Sequence, residues 1–171
     1  MKMIFDLDMD KCVACGACAI ACMDQNDIWP NRGDEPYRRV GAVNALPGER
    51  RAVRYLSLAC MHCADAPCIK ACPVGCLRKD EMGLTVYDNA NCISCHSCEM
   101  ACPIAAPTYN DGGKMAKCNG CAQRLLNGLI PACVRNCPEG ALICVPEDEY
   151  PSCKPKHSLR DFMEYMEHFE V

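Results

Sequence analysis

Nineteen of the 171 residues are cysteine, and sixteen of these fall into four groups of four, here called tetrads. The first and third tetrads have the spacing C-x2-C-x2-C-x3-C, and the last three tetrads end in Cys-Pro. Their members are Cys12, Cys15, Cys18 and Cys22; Cys60, Cys63, Cys68 and Cys72; Cys92, Cys95, Cys98 and Cys102; and Cys118, Cys121, Cys133 and Cys137. Thiolates at this spacing are typical ligands of [4Fe–4S] cubanes, which take four each. Sixteen thiolates therefore predict four [4Fe–4S] clusters.

Other uses of so many cysteines fit the pattern less well. A structural zinc site usually takes two C-x-x-C pairs. The C-x2-C-x2-C spacing instead places three cysteines within seven residues and leaves the fourth without a partner for a second pair. A disulfide framework needs an oxidising compartment, yet the cysteine count is odd and no apolar signal segment follows Met1. A thiol-redox motif would be a single C-x-x-C pair. The pattern thus favours iron–sulfur chemistry.

The amino-acid composition agrees with a protein whose fold is stabilised by bound metal clusters. Three Phe, one Trp and six Tyr are few large side chains for a chain of this length. The clusters must then supply part of the core, as metals do in other small domains. We expect little folded structure without iron.

Charge argues against nucleic acid and anionic membranes as partners. The formal net charge is −4, and sixteen thiolates around four oxidised cubane cores would lower it to about −12. A basic group interrupts this pattern between the first two tetrads. Two interpretations stay open for it: a solvated hairpin face, or a docking surface for an acidic partner subunit. The group consists of Arg38, Arg39, Arg50, Arg51 and Arg54.

Short strands and turns must position the tetrads. The alternating segment 4–8 reads as an edge strand, and segments on either side of the turn at 46–49 read as a β-hairpin insert. A second hairpin, turning at Met82-Gly83, joins the second tetrad to the third. Segment 140–147 is predicted to close the fold beside residues 4–8.

Gap lengths indicate how the tetrads pair. The second and third tetrads lie close together and are joined only by a hairpin, so they resemble a complete two-cluster unit inserted into a second one. The sequential alternative pairs the first tetrad with the second and the third with the fourth, across two very unequal gaps. We favour nesting. The predicted fold class is α+β, with two nested bacterial-type 2[4Fe–4S] ferredoxin-like units, short strands and helices, long loops, a β-hairpin insert and a C-terminal helix.

The corresponding domain boundaries follow from the same pattern. Residues 1–36 and 104–147 form the outer unit with tetrads one and four, and residues 56–103 form the inner unit with tetrads two and three. Residues 37–55 form the hairpin insert, and residues 148–171 form a tail with an amphipathic helix.

Three segments resemble a known family. CMHCADAPCIKACPVG, CISCHSCEMACPIAAPTYN and KCNGCAQRLLNGLIPACVRNCPEGAL, in this order, are similar to the electron-transfer iron–sulfur subunits of the dimethyl sulfoxide reductase family of molybdenum and tungsten pterin enzymes. The resemblance runs from about residue 8 to residue 143. It includes the absence of proline after Cys22 and the long arm between Cys121 and Cys133.

The resemblance implies a ligand set for each cluster, in which the last cysteine of a tetrad serves the neighbouring cluster. Cluster a would take Cys12, Cys15, Cys18 and Cys137; cluster b would take Cys118, Cys121, Cys133 and Cys22; cluster c would take Cys60, Cys63, Cys68 and Cys102; and cluster d would take Cys92, Cys95, Cys98 and Cys72. All sixteen ligands are cysteine, so four four-iron clusters are expected.

The function implied by the resemblance is that of a non-catalytic electron-transfer subunit of an oxidoreductase complex from an anaerobic or facultative organism. Its partner would be a large pterin-containing catalytic subunit with molybdenum or tungsten, with a membrane anchor or another redox protein as a further candidate. The alternative function is a free, or hydrogenase- or formate-linked, polyferredoxin serving several redox enzymes. No paired carboxylates, nucleophile elbow or phosphate loop indicates catalysis in this chain.

The sequence also predicts where the protein resides. No run of about 20 apolar residues is present, so direct membrane insertion is not expected. The expected location is the cytoplasm, with export alongside a signal-bearing partner as the alternative.

Several residues outside the ligand sets carry predictions. Cys76 and Cys144 are expected to be buried free thiols and Cys153 an exposed one. His62 and His96 lie inside cluster loops, where an N–H donated to a sulfur would tune a cluster. The helix after Ser158 presents an apolar face for packing on the body or docking on a partner, with Phe162, Met166 and Phe169 as docking candidates.

Overall fold

The computed structural model describes residues 1–44 and 52–167, except for the side chain of Glu167. The strands are β1 (Met3–Leu7), β2 (Arg39–Asn44), β3 (Val53–Leu58), β4 (Leu77–Lys79), β5 (Thr85–Tyr87), β6 (Thr108–Tyr109), β7 (Met115–Ala116) and β8 (Leu142–Pro146). The helices are α1 (Ala17–Gln25), α2 (Pro67–Lys70), α3 (Ser97–Met100), α4 (Ala122–Leu126), α5 (Ala132–Arg135), α6 (Tyr150–Cys153) and α7 (Leu159–Glu167). A 3-10 turn lies at Pro30–Arg32. The described chain is thus a small mixed α and β protein with long loops.

The strands form antiparallel pairs: β1 with β8, β2 with β3, β4 with β5 and β6 with β7. The first pair brings the two ends of the cysteine-bearing region together, with Met3 opposite Pro146 and Leu7 opposite Leu142. This pairing of the first and last strands was predicted from the sequence and is present. All four tetrads therefore lie in the sequence between two strands that pair with each other.

The predicted β-hairpin insert is present. Its strands pair from Arg39 opposite Leu58 to Asn44 opposite Val53, so β3 continues beyond the boundary at residue 55. The predicted turn at 46–49 lies outside the described residues, as do Arg50 and Arg51. The irregular loop expected before the hairpin contains the 3-10 turn.

Two tight turns of the same kind connect tetrads. The Asp80 carboxylate accepts hydrogen bonds from the N–H groups of Met82 and Leu84 at 3.0 and 2.8 Å, and Gly83 takes a left-handed φ of 72°. The second turn, between β6 and β7, was not predicted from the sequence. There Asn110 accepts from the N–H of Lys114 at 2.9 Å, in a segment with the same Asx side chain and glycine pattern.

Proline decides how long the helix in each tetrad can be. Helices α2, α3 and α5 have four residues each and end two residues before the Cys-Pro step, as expected where proline cannot continue a helix. Helix α1 in the first tetrad has nine residues and runs past Cys22 to Gln25, because no proline follows that cysteine.

The core is divided into two groups. One contains Leu7, Met9, Cys18, Cys133, Ala141, Leu142 and Leu159; the other contains Ala66, Cys68, Cys76, Leu77, Cys92, Cys98 and Met115. Helices also pack in pairs, α1 with α5 and α2 with α3. Both the core groups and the helix pairs therefore bring parts of tetrad one together with parts of tetrad four, and parts of tetrad two together with parts of tetrad three.

The tail packs on the body through its last helix. The Ser158 hydroxyl accepts hydrogen bonds from the N–H groups of Arg160 and Asp161 at 3.0 and 3.3 Å, which is the expected N-cap. Leu159 is buried, and Phe162 and Met163 pack partly buried against the same core group as Leu7. Met166 is exposed, and Phe169 lies outside the described residues. No helix in the described ranges is long and apolar enough to cross a membrane.

Candidate metal centres

Three cavities are each lined by four tetrad cysteines, and we call these sites a, c and d. Site a has Cys12, Cys15, Cys18 and Cys137 on its walls. Site c has Cys60, Cys63, Cys68 and Cys102, and site d has Cys72, Cys92, Cys95 and Cys98. In every case three cysteines come from one tetrad and the fourth is the last cysteine of another.

The remaining four cysteines form a fourth group, site b. Burial, followed by the negative charge of the Cys133 and Cys121 thiolates, raises the pKa of Cys22 to about 12. Burial likewise raises the pKa of Cys118, to which the charges of Cys60 and then Cys22 contribute, and that of Cys121, to which the charge of Cys133 contributes. Cys22 thus lies among three cysteines of the fourth tetrad.

Raised thiol pKa values recur at sites a and c. Burial is the main cause for Cys12, Cys63 and Cys68, and thiolates of the same site add to it in each case. Crowded and partly buried thiolates repel one another and are poorly solvated, so their anionic form requires a compensating cation. An iron–sulfur core supplies that positive charge when bound.

The loops share an unusual backbone conformation. The residue directly before the second cysteine of each tetrad is left-handed: Ala14 (φ 55°), His62 (φ 49°), Ser94 (φ 58°) and Gly120 (φ 71°). This conformation is unfavourable for residues with a side chain, at a cost of order 1 kcal/mol each. Its repetition at equivalent positions indicates a constraint common to the four loops, which bend around their sites.

Backbone N–H groups point at the sulfurs. The last cysteine of each Cys-Pro tetrad accepts a hydrogen bond from the N–H four residues later: Cys72 from Cys76 at 3.3 Å, Cys102 from Ala106 at 3.4 Å, and Cys137 from Ala141 at 3.2 Å. Such bonds stabilise a charged sulfur more than a neutral one. The chain turn imposed by each proline therefore also solvates a thiolate.

Two of the predicted docking arginines are buried, which corrects that prediction for them. Arg38 is 5% exposed, and its Nη1 donates to the Ser57 carbonyl at 2.9 Å and to the Ser57 hydroxyl at 3.1 Å. That hydroxyl lies 3.0 Å from Cys18 Sγ and is left to donate to it. Burial opposes the charge on Arg38, but thiolates led by Cys133 and Cys118 outweigh burial and raise the pKa. Arg38 is therefore an internal counter-charge between sites a and b.

Arg54 is also buried and joins three segments. Its Nη1 lies 2.6 Å from Asp10 Oδ1, and Asp10 Oδ2 lies 2.6 Å from His157 Nδ1. The hydrogen bond from His157 and then that from Arg54 lower the pKa of Asp10 to about 2. Arg39 alone among the described arginines of the basic group has an exposed side chain, and it pairs with Glu35 at 3.1 Å.

The two histidines of the loops differ. His62 is buried, accepts a hydrogen bond from the N–H of Thr85 at Nδ1 (2.9 Å), and has Nε2 3.8 Å from Cys118 Sγ. It therefore reaches a sulfur of site b, although its own loop belongs to site c. His96 lies outside this arrangement: it pairs with Glu99 at 2.9 Å and stacks on Tyr109.

A buried lysine was not predicted from the sequence. Lys117 is 1% exposed and directly precedes Cys118, which is the only signal in the sequence that could have identified it. Its Nζ donates to the carbonyl oxygens of Thr85 and Cys118 and lies 3.7 Å from Cys60 Sγ. Lysine is rarely buried without a charge partner.

The three cysteines outside the tetrads are all free thiols. Cys76 is buried and lines site d beside its four cysteines. Cys144, in β8, is half-buried rather than fully buried, and burial with the charges of Cys133 and Cys121 raises its pKa to about 12. Cys153 is exposed in α6.

Comparison with known proteins connects this arrangement to a class. A family profile described as a 4Fe-4S dicluster domain matches residues 51–146. The B subunit of the anaerobic dimethyl sulfoxide reductase of Escherichia coli strain K12 is 39% identical over 154 residues, covering 85% of this chain and 74% of that protein.

Two further relatives are named for other reductases. Thiosulfate reductase electron transfer subunit PhsB of Salmonella typhi is 36% identical over 137 residues, covering 79% of this chain and 71% of that protein. Arsenate respiratory reductase iron-sulfur subunit ArrB of Shewanella sp. strain ANA-3 is 30% identical over 163 residues, covering 92% of this chain and 68% of that protein.

Proposed function

Because this chain belongs to the 4Fe-4S dicluster family and to the electron-transfer iron–sulfur subunits of reductases of the dimethyl sulfoxide reductase type, we propose that it carries four [4Fe–4S] clusters between a pterin-bearing catalytic subunit and an external electron donor or acceptor. Its role is electron transfer and not catalysis.

The observation that carries the proposal is the grouping of the thiols. Three cavities and one further group each bring together three cysteines of one tetrad and the last cysteine of another. We propose these four groups as the ligands of clusters a, b, c and d, with the membership that the family resemblance implies. The N–H donors and crowded thiols at these sites favour an anionic sulfur ligand set.

A cubane core fits these sites better than a single metal ion does. One zinc ion needs its cysteine sulfurs at about 2.3 Å from a common centre. Within residues 1–44 and 52–167, no group of three or more His, Cys, Asp or Glu side chains is arranged to hold one ion. The four thiols of each of sites a, c and d instead line a cavity, as a larger core requires.

We propose the nested division of the chain on three observations. Strand β1 pairs with β8, helix α1 packs on α5 while α2 packs on α3, and the core is divided in the same way. These contacts favour an outer unit of residues 1–36 and 104–147 around an inner unit of residues 56–103.

The exposure of the cysteines supports an order of the clusters. Among the sixteen tetrad cysteines, all of which lie in the described ranges, only Cys15 and Cys95 are exposed. They belong to sites a and d, whereas His62 joins the loop of site c to a sulfur of site b. We propose the order a, b, c, d, with electrons entering and leaving at the two exposed ends.

The partner proposed is a large catalytic subunit with a molybdenum or tungsten pterin, and a membrane anchor or another redox protein is the proposed exchange partner at the opposite end. The similarity to subunits named for dimethyl sulfoxide, thiosulfate and arsenate reductases supports this class of complex. Cytoplasmic residence stays a prediction, which fractionation of the native organism would check.

The experiment is an anaerobic affinity purification from the native organism, with iron, sulfide, molybdenum and tungsten quantified on the same sample. We expect about 16 iron atoms per chain and molybdenum or tungsten in a large copurifying subunit. The same iron content with no stable partner would favour the free polyferredoxin, and zinc in place of iron would refute the cluster assignment. A tagged unrelated ferredoxin from the same cells controls for nonspecific capture.

A further inference from the structure

Sites b and c meet at a buried polar junction formed by Lys117, His62 and Thr85. All three side chains are at least nine-tenths buried. Each of the first two belongs to the loop of one site and reaches a cysteine of the other. The contacts therefore cross the boundary between the proposed outer and inner units in both directions.

Lys117 makes the crossing toward site c. It directly precedes Cys118 of site b, yet its Nζ lies 3.7 Å from Sγ of Cys60, a site c cysteine. The ammonium is held in place by the carbonyl oxygens of Thr85 and of Cys118, the latter at 2.8 Å. These are both neutral acceptors.

Lys117 has no carboxylate partner within the described ranges, since every contact of its Nζ there is a carbonyl, a sulfur or the ring of Tyr87. A buried charge without a counter-charge costs several kcal/mol. A thiolate at Cys60, together with the anionic cluster it would bind, is the nearest group able to offset that cost.

His62 makes the crossing toward site b. The N–H of Thr85 donates to its Nδ1 at 2.9 Å, so the ring proton of the neutral imidazole is on Nε2. That nitrogen lies 3.8 Å from Cys118 Sγ and is able to donate to it. The histidine thus provides a neutral N–H donor where Lys117 provides a full charge.

Thr85 forms hydrogen bonds with both His62 and Lys117. Its N–H donates to His62, and its carbonyl accepts from Lys117. Its hydroxyl is 2.9 Å from Nζ of Lys79, which also donates to the carbonyl oxygens of His62 and Cys63. One residue of β5 therefore fixes both groups that cross the junction.

We propose that Lys117 and His62 are reciprocal tuning residues at the junction between the two units: Lys117 raises the reduction potential of cluster c, and His62 raises that of cluster b. Reduction adds one negative charge to a cluster, and a nearby cation or N–H donor stabilises that charge. Neither residue gains or loses a proton in this role. The inference rests on the proposed cluster assignment.

The test is a redox titration of the purified holoprotein followed by electron paramagnetic resonance. Lys117→Met should shift the midpoint potential of one cluster to a more negative value, and His62→Phe should shift that of a different cluster. Lys117→Gln, which can still donate to the two carbonyl oxygens but has no charge, should give a shift in the same direction as Lys117→Met.

Lys70→Met is the matched control, because Lys70 lies between two tetrad cysteines but is exposed and pairs with Asp65. It should leave all four potentials unchanged, since solvent screens an exposed charge.

Each other outcome overturns the inference. Unchanged potentials in fully loaded Lys117→Met would show that its charge does not act on a cluster, and a shift of the same cluster by both substitutions would refute reciprocity. Loss of iron from both Lys117→Met and Lys117→Gln would assign Lys117 to folding instead. The proposed function fails separately, when the wild-type protein itself holds fewer than about 16 iron atoms.

Discussion

Single cysteines differ in function according to what surrounds them. Cys95 and Cys153 are both exposed, but Cys95 lines site d with three other tetrad cysteines, whereas Cys153 lies in α6 and donates a hydrogen bond to the nearby Tyr150 carbonyl. A ligand and a spare thiol can therefore have the same solvent exposure. Exposure alone does not identify a ligand.

We predict opposite outcomes for the two serine substitutions. Cys95→Ser should lower the iron content by about one to four atoms per chain and change the spectrum of one cluster, because a thiolate ligand is lost. Cys153→Ser should leave the iron content and spectrum unchanged. Iron analysis with low-temperature electron paramagnetic resonance measures both, and a fully loaded, spectroscopically normal Cys95→Ser protein would contradict the assignment of site d.

At the residue scale, the sequence identifies candidate ligands but not the side chains that surround them. Cysteine spacing is a local pattern, so all four tetrads can be identified by reading the chain. The roles of Arg38 and Lys117 depend on contacts between distant segments, such as Lys117 with Cys60. Arginine is usually exposed, which is why a docking surface was predicted where Arg38 and Arg54 are buried.

At the scale of elements, a buried carboxylate joins the tail to the first strand. Asp6 in β1 is 3% exposed and accepts hydrogen bonds from the hydroxyls of Tyr150 and Ser158 at 2.6 and 2.7 Å. It also accepts from the N–H groups of Leu7 and Arg160 at 2.8 and 3.2 Å. The strand, α6 and the start of α7 therefore share one acceptor.

We predict that Asp6→Asn loosens the tail. Loss of charge-assisted hydrogen bonds should cost about 2 kcal/mol and lower the Tm by roughly 4–8 °C. The control Asp161→Asn removes an exposed ion pair with Lys154 and should cost about 1 kcal/mol or less. Anaerobic thermal melts of the holoproteins, with trypsin cleavage of the tail as a local readout, measure both, and equal effects would refute this role of Asp6.

Elements whose limits are set by nearby residues could be predicted from the sequence. Elements whose limits depend on pairing with distant segments were predicted less well. Proline positions correctly indicate that helices end before each Cys-Pro step. The β6–β7 hairpin was missed because its strands have only two residues each, too short for an alternating pattern to be visible. The boundary of the insert at residue 55 falls within β3, because the pairing with β2 continues to Leu58.

At the scale of the whole molecule, cysteines take the place of large apolar side chains. Both core groups contain several tetrad cysteines, including Cys18, Cys133, Cys68 and Cys98. The interior is thus formed in part by the groups that would hold the clusters. Gap lengths already favour nesting over the sequential alternative, and the contacts between tetrads support the same pairing.

We predict that the protein unfolds when iron is removed. Oxidative chelation should abolish most secondary structure and cooperative melting, because the clusters that would link distant segments of the chain are lost from the core. Circular dichroism before and after removal, with reconstitution by iron and sulfide, provides the measurement. A chelated protein that retains the holoprotein spectrum would contradict a core formed by clusters.

The number of clusters per chain tests the central claim most directly. Iron and acid-labile sulfide should be measured against protein concentration on the anaerobically purified chain, and the fully reduced sample should be examined by Mössbauer spectroscopy. Four cubanes predict about 16 iron and 16 sulfide per chain, all in four-iron clusters. A reproducible value of about 8 of each, with the remaining tetrad thiols free, would contradict the four-cluster account.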